Sequence, residues 1–340
     1  MTKNNNFDFL RFLFALLVVI SHAFPLSGSI ETKQWIYEIT NGQLVLGQIG
    51  LSGFFVISGF FIFQSLERSK SLQEYFKKRF LRLFPALFFV LLFSVLLAPF
   101  VYNGSTPFLK NKEVFTYLPY NLTLFGFQSG IKGIFDTNSY HAINGSLWTI
   151  RYEFTLYIAL ALLFFFRNNK KLNISILLFV YVFFIILYNF YLSRFAESSL
   201  MGFQGGHVIN LGAFFIAGSV LASLKFQNWR YKKTLLVIVS LLSVLSLYFN
   251  YYDAVKHMIF PVLVVLIGFI PVKFLSDFGK AGDASYGIYI YSFPIQQTLM
   301  YFFKMNTYTL MFVSVIISIT FGFFSWHYIE KKALKYKRMD

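Results

Sequence analysis

The sequence contains no cysteine among its 340 residues. Without a thiol, the chain forms no disulfide, presents no thiolate nucleophile or thiolate metal ligand, and takes no palmitoyl group. Charged residues are also scarce, at 13% of the chain, and only 14 of them are acidic. Since a soluble domain has about 25% charged residues, this composition excludes an ordinary soluble fold.

Apolar and aromatic residues are abundant instead, at 57% and 21% of the chain. Long apolar runs separated by short polar joints are typical of an integral membrane protein. The formal net charge of +16 would favour a nucleic-acid partner in a soluble protein. Here the basic residues lie in the joints, where they act as topology signals, so we expect no nucleic-acid partner.

Ten apolar runs are close to the length that crosses a bilayer, about 20 residues each. They are 8–25, 46–65, 84–102, 147–166, 172–192, 207–224, 234–250, 257–272, 286–303 and 308–328. With the amino terminus inside, the inner joints carry 21 Lys and Arg residues and the outer joints 7, apart from two inside the runs. The positive-inside rule therefore places both termini in the cytoplasm. We expect an all-α integral membrane protein of about ten transmembrane helices, forming a single domain over residues 1–340 with nothing appended.

The first apolar run contains two ionisable residues, Arg11 and His22. Such residues are costly in hydrocarbon and are functional candidates by default. Eleven positions of α-helix turn about 1100° and rise about 16 Å, so both side chains share one face. A stripe of this kind can line a polar path partway through the membrane. The alternative is that Arg11 snorkels to the headgroups and His22 lies at the opposite interface, each merely tolerated.

The second apolar run, GQIGLSGFFVISGF, is rich in glycine. Small residues let neighbouring helices approach closely, and this packing role is the simpler interpretation. The functional alternative is that the missing side chains leave room for an extended substrate arm.

A basic segment precedes the third apolar run, with Arg79 and Arg82 three positions apart on one helical face. Two guanidiniums that point the same way suit phosphate groups, which they can bind bidentately. The structural alternative is an anchor on anionic lipid.

The fourth run begins NGSLWTIRYEFTLY and places Arg151 and Glu153 near its outer end. Residues two positions apart point to different faces, so this pair is not expected to neutralise itself. Glu153 lies one turn from Tyr157, on a face that can hold a sugar hydroxyl or orient a catalytic histidine. Trp148, Arg151 and Tyr157 are the candidates for an acceptor side. An ion pair with another helix is an equally supported interpretation of the charges.

None of the five histidines has the spacing of a metal site, so we predict no metal. His207 and His257 begin two later runs at a water interface, where a lone histidine needs no functional explanation. In the ninth run, Pro294 precedes Gln296 and Gln297, which predicts a kink facing a polar cavity.

Together these segments resemble the acyltransferase-3 family of bacterial multi-spanning membrane proteins. The resemblance covers essentially the whole chain and rests on an ordered set of motifs: Arg11 and His22 with ten residues between them, GFFVISGFF, the Arg-x-x-Arg-x-x-Pro element from Arg79 to Pro85, SLWTIRYEF, SYGIYIYSFP and the terminal YIEKK.

The resemblance implies a transmembrane O-acyltransferase of the bacterial inner membrane. Such an enzyme takes an acyl group, often acetyl, from cytoplasmic acyl-CoA and binds no further cofactor. The acceptor is a hydroxyl of a cell-surface polysaccharide or glycolipid. Carried over to this chain, the resemblance makes His22 catalytic, with Glu153 as a residue that can hold its tautomer. Arg11, Arg79 and Arg82 become contacts for the donor.

The chain departs from the family pattern in the ninth run. Many members carry a histidine there, where this chain has Ser292 and Phe293, so no catalytic role can be transferred to that position. Two other functions remain open from the sequence. One is an exporter of polysaccharide or lipid-linked sugar without acyl chemistry, and the other is an enzyme of the membrane-bound O-acyltransferase type.

Overall fold

The structure, a computed structural model, describes residues 5–338. That part of the chain is mostly helical, with one short hairpin of β1 (Ser199–Leu200) and β2 (Phe203–Gln204). Its helices are, in chain order, α1 (Phe7–Leu26), α2 (Trp35–Ile39), α3 (Leu46–Arg68), α4 (Leu72–Leu97), α5 (Lys112–Leu122), α6 (Trp148–Ala161), α7 (Lys170–Phe195), α8 (Gly205–Ser223), α9 (Lys232–Tyr248), α10 (Tyr252–Phe269), α11 (Lys273–Asp277), α12 (Ser285–Phe303), α13 (Thr307–Ser325) and α14 (Lys331–Lys335).

Each predicted span coincides with one long helix: α1, α3, α4, α6, α7, α8, α9, α10, α12 and α13. Within residues 5–338, eight of these helices are long and apolar enough to cross a membrane, and α9 and α12 are the two that are not. Helix α9 has only 17 residues. The chain is therefore an all-α multi-pass membrane protein, whereas the count of ten crossings and the cytoplasmic termini stay predictions.

Helix α12 falls outside the apolar set because it lies inside the bundle, against α1, α4 and α13. All but one of its first fifteen residues are buried. A helix surrounded by protein needs no lipid-facing surface and can carry polar groups that find partners. Gln296 donates to Val19 O at 2.8 Å and to Ser314 Oγ at 3.0 Å, and Gln297 donates to Ala142 O at 2.5 Å.

The prediction that Gln296 and Gln297 face a polar cavity beside Pro294 is therefore wrong. The α-helix continues through Pro294 from Ser285 to Phe303. Gln296 and Gln297 are fully buried and bind backbone and side-chain groups of neighbouring segments. Their role in the structure is to hold α12 in place.

The glycines of α3 serve close helix packing, as the simpler interpretation predicted. A Cβ atom on Gly59 would lie 1.9 Å from Phe215 O of α8, and one on Gly218 would lie 2.1 Å from Val56 O of α3. The two helix backbones are therefore in direct contact. Ser219 Oγ donates to Gly59 O at 3.1 Å across the same contact.

One end of the bundle gathers the starts of α4 and α12 and the end of α13. Arg82 donates to Asp283 Oδ2 at 2.7 Å and to Glu330 Oε2 at 3.3 Å. Arg167, after α6, donates to Lys70 O at 3.0 Å. We call this the basic end, because the predicted inner joints, which carry most of the lysines and arginines, lie here.

The opposite end gathers the other helix termini. Ser27 Oγ and Thr307 Oγ1, at the end of α1 and the start of α13, lie 2.7 Å apart. Gln43, just before α3, donates to Asn250 Oδ1 in the turn between α9 and α10 at 3.0 Å. Successive long helices thus alternate in direction, which is the arrangement that the positive-inside count requires.

Candidate active site

A cavity of about 450 Å³ lies at the basic end, between α1, α3, α4, α6 and α12. We call it the basic-end cavity. It brings together five of the eight residues that the sequence singled out, namely Arg11, Arg79, Arg82, Glu153 and Tyr157.

Two of the four arginines that line this cavity, Arg11 and Arg82, are held by carboxylates. Asp283 Oδ2 forms an ion pair with Arg82 Nη2 at 2.7 Å and a longer one with Arg11 Nη1 at 3.6 Å. Arg11 also pairs with Asp8 at 3.1 Å, and Arg82 with Glu330 at 3.3 Å. Charges removed from water need partners of this kind, so the two guanidiniums have fixed positions in the cavity wall.

The acidic residues of this network are themselves well held. Burial raises the pKa of the Asp283 carboxyl, but Arg82, Arg11 and the hydroxyl of Ser285 together lower it from 3.8 to about 2. Asp283 is therefore a carboxylate at neutral pH. Glu330 is only 1% exposed and accepts a hydrogen bond from Ser325 Oγ at 3.0 Å.

Arg79 differs from its two neighbours, because no carboxylate of residues 5–338 lies within ion-pairing distance of it. Its Nη2 donates to Ser65 Oγ at 3.3 Å, and its Nε is buried without a hydrogen-bond partner. The guanidinium carbon lies 5.7 Å from the Tyr75 ring and 5.9 Å from the Tyr157 ring. A desolvated guanidinium with unused donors is a site for an anion.

Glu153 lines the same cavity and accepts hydrogen bonds from two hydroxyl groups. Ser58 donates to Glu153 Oε1 at 2.8 Å, and Tyr157 donates to the same oxygen. The two hydroxyl oxygens lie 3.0 Å apart. The predicted one-turn contact of Glu153 with Tyr157 is thus present. The carboxylate is engaged at the basic-end cavity, however, and does not hold the His22 imidazole.

His22 lines a second cavity of about 530 Å³ at the opposite end, which we call the opposite-end cavity. The His22 ring meets the Phe293 ring edge-on at 5.4 Å, and its Nδ1 is buried with no hydrogen-bond partner in the described part of the chain. The resemblance expected the family's second histidine at Ser292 or Phe293, and the Phe293 ring contacts the His22 imidazole.

The walls of the opposite-end cavity are polar and aromatic. Trp148 lies 4.4 Å from His207, ring centre to ring centre, and both line the cavity. Glu31, Asp253 and Lys256 line it as well. Burial raises the pKa of Glu31, although a hydrogen bond from Ser21 opposes the rise. Aromatic surface with a few convergent polar groups is typical of a small-ligand site.

Arg151 lies outside both cavities. It donates to Gly202 O in the β1–β2 turn at 2.6 Å and lies 5.3 Å from the Phe127 ring and 5.1 Å from the Phe203 ring. Its contacts hold the hairpin against the start of α6. As an acceptor-side candidate it therefore has no direct contact with a cavity, unlike Trp148.

One side chain borders both cavities. Leu51 of α3 lines the basic-end cavity, which holds Arg11, and also the opposite-end cavity, which holds His22. Arg11 and His22, which the sequence placed on one helical face, therefore line two different cavities that share Leu51 as a lining residue.

Comparison with known proteins identifies the family of the chain. The sequence pattern of a family described as "Acyltransferase domain" matches residues 4–327. The chain belongs to this acyltransferase family. It is 28% identical over 340 positions to an "O-acetyl transferase" of Shigella phage Sf6, covering 98% of this chain and 97% of that protein. It is 32% identical over 182 positions to "Nodulation protein 10" of Rhizobium leguminosarum bv. viciae, covering 47% and 44%. No solved structure matches the chain significantly.

The family assignment makes the protein a membrane acyltransferase and favours an enzyme over the exporter alternative. The sequence did not identify several residues that line or support the two cavities. Asp283 lies two residues before the quoted segment SYGIYIYSFP, and Glu330 lies in YIEKK, where an acidic residue beside an apolar run was the available signal. Glu31 and Ser58 carried no signal, because only their tertiary neighbours give them a role.

The interpretation of His257 as an interfacial residue was wrong. His257 is fully buried, its Nε2 lies 2.9 Å from Asn210 Oδ1, and its Nδ1 has no partner within residues 5–338. The ring packs 4.4 Å from both Tyr188 and Phe214. Helix α10 begins at Tyr252, five residues before this histidine, so His257 lies inside the bundle instead of at its end.

The shared carboxylate predicts a pH-dependent loss of stability. Asp283→Asn should lower the free energy of unfolding by about 1–3 kcal/mol at neutral pH, because it leaves two half-buried guanidiniums each short of one of their two carboxylate partners. The pKa of Asp283 is lower in the folded state, so its contribution is present above about pH 4 and is lost as pH falls toward about 2. The difference in Tm between wild type and variant, measured in detergent, should shrink over that range.

Asp277→Asn is the matched control, because Asp277 pairs with Lys280 at the surface and should change Tm little. A Tm for Asp283→Asn equal to that of the wild type at pH 7 would contradict a structural role for the shared carboxylate.

Proposed function

We propose that this acyltransferase moves the acyl group of acyl-CoA from the cytoplasmic side of a bacterial inner membrane to a carbohydrate hydroxyl on the outer side. The basic end then faces the cytoplasm, with both termini. The observation that carries the proposal is the position of Leu51, which borders both the arginine-lined cavity and the His22 cavity. The name of the full-length relative, an O-acetyl transferase, supports acetyl as the acyl group.

The donor would enter at the basic end, where coenzyme A finds positive charge. Arg79 offers a guanidinium without a carboxylate partner, and Arg68 and Lys78 line the same cavity. Phosphates are bound well by such groups. Arg11 and Arg82 remain paired with Asp283, so they shape the wall that the donor contacts while their own charge is mostly neutralised.

The acyl group would then reach the imidazole past Leu51. The thioester arm is uncharged and suits the aromatic and aliphatic wall of the basic-end cavity, which includes Phe54, Phe55 and Ile62. Entry from this side brings the thioester carbonyl toward His22, while the charged part of the donor stays with the arginines.

The chemistry at His22 is general-base catalysis. Nδ1 has no hydrogen-bond partner in the described structure, so the imidazole is available to accept the proton of an acceptor hydroxyl. The hydroxyl oxygen bonds to the acyl carbon and the carbon–sulfur bond breaks. Coenzyme A leaves as a thiolate and takes up a proton, and the product is an O-acyl ester. We propose Trp148 with His207 as the surface for the sugar ring, since both border the same cavity.

The catalytic role of His22 is tested by His22→Ala. Acyl transfer to the acceptor should fall by about 10²–10⁴-fold, the usual contribution of a general base. His141→Ala is the control, because His141 is an exposed loop residue. Product formation is measured by mass spectrometry with purified protein in vesicles, and folding by Tm. Acylation at the wild-type rate by a folded His22→Ala protein would dispose of this mechanism.

Donor binding is tested by Arg79→Gln. The Kd for acyl-CoA should rise by at least about tenfold, because charge-assisted hydrogen bonds to phosphate are lost. The dependence of the affinity on salt should also become shallower. Arg230→Gln, an exposed residue outside the cavity, should leave both unchanged. A binding isotherm for Arg79→Gln that overlays the wild type would count against a donor site here.

The passage between the cavities is tested at Leu51. Leu51→Ala should widen the passage and raise kcat/KM for butyryl-CoA relative to acetyl-CoA, whereas Leu51→Trp should slow transfer from both donors. Ile49→Ala is the control, because Ile49 lies on the same helix but borders neither cavity. If the ratio of the two kcat/KM values were the same in all four proteins, the acyl group would not pass Leu51.

A further inference from the structure

We propose that a third cavity binds the headgroup of an anionic phospholipid that carries a hydroxyl group, such as phosphatidylglycerol. The cavity has a volume of about 450 Å³ and lies at the basic end, between the end of α3, the segment after α6, the start of α7 and the end of α8. It shares no lining residue with the basic-end or opposite-end cavities. The proposal is therefore independent of acyl transfer.

The charge of this third cavity favours an anion. Arg167, Lys170 and Lys225 line it, against one acidic residue, Glu67. Within residues 5–338, none of the three basic groups forms an ion pair with Glu67. Arg167 is held by Lys70 O at 3.0 Å and by the Phe164 ring at 4.3 Å, so its guanidinium has a fixed place in the cavity. Three basic groups around one space suit a phosphate.

A buried acceptor oxygen in the cavity requires that the headgroup also carry a hydrogen-bond donor. Asn173 lines the third cavity and is only 9% exposed, yet its Oδ1 has no hydrogen-bond donor in the described structure. Buried polar atoms are rarely left without a partner. An ionised phosphodiester has no proton to donate, whereas a glycerol headgroup has hydroxyls. A phosphate that reaches the basic residues can therefore place its headgroup hydroxyl near Asn173.

The remaining wall is apolar, which distinguishes a lipid from a free phosphate. Phe63, Leu66, Leu163 and Ile174 line the cavity below the basic residues. Helix α7, which contributes to the wall, has only 6% of its apolar segment buried inside the protein, so most of its surface faces lipid. An amphiphile can place its phosphate at the membrane interface here and its acyl chains along α7.

The experiment titrates the full-length protein, purified in a neutral maltoside, with short-chain lipids and follows Tm. The probes are phosphatidylglycerol, phosphatidylmethanol, phosphatidylcholine and inorganic phosphate. We expect phosphatidylglycerol to raise Tm at the lowest concentration. Phosphatidylmethanol has the same charge without a hydroxyl and should bind more weakly. Phosphatidylcholine and inorganic phosphate should shift Tm little.

Variants locate the effect. The triple change Arg167→Gln, Lys170→Gln and Lys225→Gln should weaken phosphatidylglycerol binding by at least about tenfold. The control triple Lys233→Gln, Lys331→Gln and Lys332→Gln removes the same charge from exposed positions at the same end and should bind like the wild type. Asn173→Leu should keep anionic-lipid binding but lose the preference for phosphatidylglycerol over phosphatidylmethanol.

Each other result would overturn the proposal. Equal weakening in both triple variants would mean a diffuse surface attraction without a site. A shift in Tm with inorganic phosphate as large as the shift with lipid would show that the apolar wall plays no part in binding. An undiminished preference for phosphatidylglycerol in Asn173→Leu would show that Asn173 does not bind the headgroup hydroxyl. The rate of acyl transfer in detergent should be the same in all these variants. A protein that transfers no acyl group would therefore count against the proposed function and not against this lipid site.

Discussion

The arrangement of the basic end depends on one carboxylate, that of Asp283, shared between Arg11 and Arg82. The three residues come from α1, from α4 and from the residue pair just before α12, and Glu330 adds the end of α13 through Arg82. Removing Asp283 leaves both Arg11 and Arg82 short of one carboxylate partner. The network therefore fixes four helix ends against one another. Arg79 lines the same cavity and has no carboxylate partner in the described structure, so its charge is free for a ligand.

The fixed basic end gives the protein two chambers with different chemistry. One is walled by guanidiniums and aromatic rings, and the other by an imidazole, an indole and several polar groups. The proposed donor carries phosphates and the proposed acceptor carries hydroxyls, so the proposed function needs such different surroundings. Glu153, which accepts hydrogen bonds from Ser58 and Tyr157, lies in the basic-end cavity and His22 lies in the opposite-end cavity. The carboxylate and the imidazole, which the sequence analysis joined, are therefore separate in space.

Local patterns predicted what depends on neighbouring positions along one helix. Residue spacing put Arg11 and His22 on one face, and the glycines of α3 at a close helix contact. The partners of Arg82 and the burial of His257 depend on which distant helices meet, and the periodicity of one segment contains no such information. The predicted run 286–303 coincides with helix α12, although that helix is not among those apolar enough to cross a membrane. The surroundings of its glutamines could not be predicted, because partners such as Val19 O and Ala142 O lie more than 150 positions away in the chain.

Leu51 has a further consequence for the energetics of the cell. A continuous column of water from one face of a membrane to the other conducts protons and dissipates the electrochemical gradient. The aliphatic side chain of Leu51, which borders both cavities, offers no hydrogen-bond donor or acceptor to such a column. Under the proposed function, a flexible thioester would displace the leucine briefly, whereas a hydrated ion would gain nothing by doing so. The same residue would then admit an acyl group and keep the membrane electrically tight.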